Sequence, residues 1–354
     1  MASSSPPNPS STGAVVSSEL SSITRYDGSE LPDSVVNVVI DDALSRIPHE
    51  AFEDQAELQT VQLGKSIRAI GDTAFYGCAQ LHHLDFHRAP RLKSIGGSAF
   101  CTCAALEQVS LPSSLTILGR NSFSDCGALV NVELPPDLTV IRERTFERCR
   151  RLQHLALPIN LQAVNDGAFL YCCSLTRLSI PASVIYIHNS SFRCCFAIEH
   201  IEFQTHPHNQ QSSLVRIGIQ SFRNCRALKQ INIPNSIREI GSLAFEGCDS
   251  LETVQMPCGP HTINFENDIF VKCPKLSQII VPHVSHQTAI WPRYLRLFQH
   301  RQFFARMGVP PLNRQTCVYS FLREHARRLV EQARVTMTRK RDSTRQGERL
   351  HAAR

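Results

Sequence analysis

The sequence predicts an α/β repeat solenoid with a small α-helical C-terminal cap, and three observations carry that expectation. Ten phenylalanines (Phe52, Phe75, Phe100, Phe123, Phe146, Phe169, Phe192, Phe222, Phe245 and Phe270) recur at spacings of 23, 25, 23, 23, 23, 23, 30, 23 and 25 residues. Around each of them the same frame returns, I-x-x-x-A/S-F-x-x-C-x-x-L-x-x-V-x-L-P-x-S-L. A unit this short cannot bury its apolar side alone, so neighbouring units must stack to close one continuous core.

Residues 1–33 come first and are rich in Ser and Pro, a composition that predicts a disordered tail. This stretch has no basic n-region followed by an apolar h-region, so it does not read as a secretory signal. The chain also lacks any run of 18 or more apolar residues. Together these features predict a cytoplasmic protein, with the nucleus as the alternative location.

Residues 34–283 form the expected solenoid of about ten 23-residue coils, with residues 35–43 as a partial opening coil. In each coil the L-x-x-V-x-L segment ends in apolar–polar alternation, as a half-buried strand requires. The Pro that follows lacks a backbone donor and ends the strand. The x-S-L-x-x-I stretch reads as a second short extended piece or turn. The A-F-x-x-C stretch reads as a single short turn of helix. Coils spaced ~4.8 Å apart give a body roughly 45–50 Å long.

One clear copy of the frame runs from Ile240 through Ala244, Phe245, Cys248, Leu251 and Val254 to Met256 and Pro257. Another runs from Leu118 through Phe123, Cys126, Leu129 and Val132 to Leu134 and Pro135. These residues resemble the BspA-type leucine-rich repeat, and the resemblance covers roughly residues 35–283. It implies a right-handed solenoid with a stacked parallel sheet. Members of that family are mostly bacterial and protist surface proteins, with intracellular relatives in algae and protists.

Cysteine stands three positions after Phe in nine coils, from Cys78 to Cys273, and Gln55 holds that place in the first. A small, easily buried side chain suits a tightly stacked inward position. In an uninterrupted ladder each thiol has two equivalent neighbours, which specifies no unique disulfide pattern, so reduced thiols are expected. Cys101, Cys173, Cys194, Cys258 and Cys317 lie outside the ladder, and no pair has zinc-finger spacing. The chain has no phosphate-binding loop, zinc-protease or nucleophile-elbow motif. No catalytic residue, cofactor or metal is therefore expected.

Outward strand positions build the expected concave face, the candidate surface for a protein partner: His83, Asp85, Asn131, Glu133, His154, Arg177, His200, Glu202, Gln230 and Asn232. Arg177, His200 and Glu202 in the middle coils are the favoured centre. Alternation would also set His83, Asp85 and His87 on one face, but ~6.5–7 Å between neighbours is long for one zinc ion. The 30-residue coil carries seven extra residues near 204–211, a candidate binding loop that includes His206 and His208.

Beyond the solenoid the charge changes sign. Residues 284–354 hold 15 Lys/Arg against 4 Asp/Glu, which leaves 22 against 27 in residues 1–283. Residues 284–338 are expected to form a helical cap, with Trp291 covering the last coil. Residues 339–354 read as a basic, disordered tail in which Arg339, Lys340 and Arg341 are the candidate targeting or binding residues. The combined reading is a non-enzymatic protein-binding scaffold. A surface adhesin or recognition protein is the alternative, and a nucleic-acid-associated regulator acting through the tail is a further one. An anionic membrane surface is a lesser expectation for the same tail.

Overall fold

The structure is a computed structural model that describes residues 23–32, 34–257, 263–265 and 268–280. Its architecture is two columns of short parallel strands wound around one core. The long-strand column runs from Ile23–Tyr26 through Asn37–Ile40 and onward coil by coil to Gln278–Ile280. The short-strand column runs from Arg46–Ile47 to Asn264–Phe265. Equivalent positions of successive coils face each other: Asn131 lies opposite Gln108 on one side and His154 on the other. In long strands such as Gln108–Ser110, Asn131–Glu133 and Thr253–Gln255 the central Val109, Val132 or Val254 is buried and its flanking residues face out. Pro112, Pro135, Pro158, Pro181 and Pro234 follow five of these strands. Each accepts, through its carbonyl, a bond from the residue three further on, which closes a turn.

The core is a single apolar cluster from Tyr26 to Leu276. The ten phenylalanines form its axis. Successive rings stack at centroid distances of 4.8–5.7 Å with planes within 14° of parallel. Tyr26 closes the first end, edge-on to Phe52 at 4.8 Å. Its strand lies in the stretch read from composition as tail, because Ile23–Tyr26 carries no trace of the repeat frame.

The helical part of the expected α/β class does not hold. Among the described residues there is no α-helix, and the fold is a parallel β-solenoid. The expected helical cap over residues 284–338 falls outside the described residues and adds nothing to the class. The A-F-x-x-C stretch fails as a helix for a specific reason. Residues two before and two after each Phe lie in the left-handed region, as at Asn121 (φ 52) and Asp125 (φ 59) around Phe123. Alternating hand turns every second N–H toward the next coil. Asn121 N donates to Glu143 O at 3.0 Å, Phe123 N to Thr145 O at 2.9 Å and Asp125 N to Glu147 O at 2.8 Å. A four-residue helix would close about one internal bond at the full cost of nucleation, whereas this turn satisfies three donors per coil. Gly, Asn and Asp hold eight of these twenty positions, as residues that adopt the left-handed conformation more readily than most.

The cysteine ladder has an equally local cause. Each of the nine ladder thiols donates to the carbonyl of the preceding coil's Phe, from Cys78 Sγ to Phe52 O at 3.1 Å through to Cys273 Sγ to Phe245 O at 3.1 Å. In the first coil Gln55 replaces the thiol and bonds backward with its amide, donating to Pro32 O at 3.5 Å and accepting from Val35 N at 3.3 Å. The described cysteines are all free. Burial pushes the Cys78 thiol up to about 12. Burial also holds Cys103, Cys126, Cys172, Cys195 and Cys248 well above the usual thiol range.

Because the folded pKa is raised, the unfolded chain ionises first as pH rises. The thiols' contribution is therefore whole below the ordinary thiol pKa and is lost as pH climbs toward the folded value. We expect the urea midpoint to fall between about pH 9 and pH 12. Iodoacetamide at pH 8 should leave the ladder unmodified until urea is added, as mass spectrometry would show.

Candidate interaction surfaces

The outward residues of the long strands are ordered by register. Arg177 faces His200, His200 faces Gln230, Gln230 faces Thr253 and Thr253 faces Gln278. In the column beside them Ser179 faces Glu202, and Asn232 faces Gln255. Arg177, His200 and Glu202 are exposed and sit on two adjacent strands, so the structure brings together the three residues favoured from sequence. Asn131, two coils before Arg177, pairs with His154 of the next coil, and Glu133 shares the strand of Asn131. Hydrogen bonding between the long strands is interrupted after His83–Leu84 and again after His154–Leu155, which divides this column into three sheets.

An ion pair that sequence reading missed lies beside the central three. Lys229 Nζ bonds Glu199 Oε2 at 2.9 Å. This contact, with added attraction from His200 and Arg177, holds the Glu199 carboxyl below the usual range. Glu199 and Lys229 precede their strands by one residue, so the outward alternation did not include them. The result is a patch of both signs, with Arg177, His200 and Lys229 around Glu199 and Glu202.

Asp85 departs from the expected face. It leaves the strand to cap the 3-10 turn Phe86–Arg88, where its carboxylate accepts from His87 N at 2.9 Å. Phe86 turns into the core, edge-on to Phe100 at 5.8 Å. His83 stays exposed on its strand opposite Thr60. The extended His83–Asp85–His87 row therefore does not form. Among the described residues no group of three His, Cys, Asp or Glu is placed to hold a metal ion.

In the inserted loop His206 is spent on structure and His208 is exposed. His206 Nε2 shares a hydrogen bond with Ser213 Oγ at 3.0 Å, and the His206 backbone pairs with Gln211 O and Gln210 N at 2.9 Å each. The loop borders a cavity of about 220 Å³ against the strands that follow. Arg339, Lys340 and Arg341 lie outside the described residues.

The short-strand column has a different outward face. Ile117, Val140, Ala163 and Tyr186 succeed one another there, and the last three pair directly. Ile117 and Tyr186 are 45% and 43% exposed, which makes a narrow apolar stripe where the long-strand face is polar. The sequence reading left this segment between strand and turn, so it assigned no face to it.

The BspA-type leucine-rich repeat region model (6 copies) matches residues 31–128, 93–211 and 207–290, together well over half of the chain. The chain belongs to the BspA-type leucine-rich repeat family. As a member of that family it has a binding architecture rather than a catalytic one, suited in general to protein interaction. Among solved structures, this repeat chain is similar to a leucine-rich repeat protein from Bacteroides ovatus, at 25% identity and a TM-score of 0.59 over 74% of this chain. It spans 64% of that protein's length. It also matches a leucine-rich cell surface protein from Faecalibacterium prausnitzii (24% identity, TM-score 0.38, 73% of this chain and 81% of that one). A third match is the pneumococcal vaccine antigen PcpA (16% identity, TM-score 0.44, 75% of this chain and 73% of that one). No curated protein sequence matches the chain.

The expected cytoplasmic or nuclear location is withdrawn, since the family match gives it no support. The lack of a leader pattern in residues 1–33 was too weak a ground for that expectation. Among the described residues, no helix is long and apolar enough to cross a membrane.

Proposed function

We propose that this leucine-rich repeat chain is a non-catalytic recognition protein displayed at a cell surface, where the outward columns of its long-strand sheet hold a protein partner. The observation that carries the reading is the register of Arg177 against His200, with Glu202 on the same strand as His200. None of the three side chains contributes to the core, and all are exposed on a rigid hydrogen-bonded sheet. Mixed-sign groups fixed on such a surface favour a complementary polar partner and disfavour others through like-charge contact. The surface members of the family supply the expectation of display.

Display is tested on intact cells with a membrane-impermeant amine reagent, followed by recovery of the chain. Modification of Lys229 and the exposed Lys65 before lysis is the expected result. Protection of both until lysis would remove display from the proposal.

A further inference from the structure

We propose that the inserted loop of the 30-residue coil builds a pocket for one neutral sugar ring of a glycan. The cavity of about 220 Å³ is formed where that loop meets the following two coils. Its lining includes apolar Phe203 and Met256, the amides of Gln210, Asn232 and Gln255, and the hydroxyl of Ser236. No ionised side chain lines it. Among the described residues, the Ser236 hydroxyl is shielded from solvent without a hydrogen-bond partner.

This chemistry selects its ligand. A charged group entering the cavity would lose its hydration with no opposite charge to replace it. A sugar hydroxyl both donates and accepts, and a side-chain amide offers one group of each kind. The C–H face of a pyranose matches the apolar side chains. The volume lies below the roughly 300–1,000 Å³ of sites that enclose drug-sized ligands, so it suits a single ring. A peptide added as a strand is disfavoured, because that mode needs an open sheet edge. The strands at the cavity, His200–Phe203, Gln230–Asn232 and Thr253–Gln255, are already paired on both sides.

The test is saturation-transfer NMR on the full chain with the methyl glycosides of glucose, galactose, mannose and N-acetylglucosamine. Methyl glucuronide and a blocked diglycine peptide serve as competitors. We expect transfer to at least one neutral glycoside, with affinity weakened about tenfold or more by Gln210→Ala and by Gln255→Ala while the melting temperature stays unchanged. No transfer from the unmodified chain to any neutral glycoside would overturn the proposal, without using a variant that must fold. Transfer unaffected by both substitutions, or stronger binding of the glucuronide or the peptide, would overturn it too. Loss of a protein partner in the Arg177–His200–Glu202 patch would leave this result untouched, so the two readings fail separately.

Discussion

Replacing Phe169 by alanine is expected to destabilise the chain by about 3–5 kcal/mol, the range for removing a fully buried aromatic ring. Phe169 has no exposed surface and stacks on Phe146 at 5.4 Å and on Phe192 at 5.2 Å. Its carbonyl accepts the Cys195 thiol at 3.2 Å, and its N–H donates to Ser191 O at 2.8 Å. The backbone bonds survive the substitution, but both ring contacts are lost and a cavity opens between coils. A repeat array holds together through nearest-neighbour terms, so a defect in a middle coil weakens the coupling of the two halves. Urea unfolding should therefore show a lower midpoint and a broader or divided transition. Phe270→Ala should cost less, because Phe270 has a single described ring neighbour, Phe245, at 5.5 Å. A loss under about 1 kcal/mol at Phe169 would show that the stack follows from the fold rather than supporting it.

The second large effect is on binding. In the Arg177→Glu/His200→Ala/Glu202→Lys chain, partner affinity is expected to fall about a hundredfold, or ~2.8 kcal/mol at ~1.4 kcal/mol per tenfold. Two substitutions reverse charges within one patch, so contacts that attracted the partner now repel it. Such reversals commonly cost more than deleting a side chain. Stability should change by no more than about 0.5 kcal/mol, because exposed positions outside the core rarely matter more. Lys229 and Glu199, paired at 2.9 Å, are left unsubstituted in the variant.

Much of this molecule was legible from the spacing of Phe and Cys, because a solenoid repeats its core contacts at a fixed period. The inward Val, the strand-ending Pro and the reduced ladder each follow from one recurring position. What escaped the reading was whatever does not recur or is decided by backbone hand. The turns at Asn121 and Asp125 look helical by composition, and only their left-handed conformation sends the bonds to the next coil. Asp85 was placed on the sheet face by alternation, but it caps a 3-10 turn because Phe86 is drawn into the core. Tyr26 ends the ring stack from a segment with no repeat frame. The cavity at Gln210 and Met256 depends on how an inserted loop folds back, which no periodicity encodes.

Binding of captured partners to the full chain, to the Arg177–His200–Glu202 variant and to a version lacking residues 339–354 tests the central claim most directly. The account predicts that partners are lost with the sheet-face variant at unchanged melting temperature and kept when the tail is removed. Partners that survive the sheet-face changes but vanish with the tail would contradict it and move recognition to the basic extension.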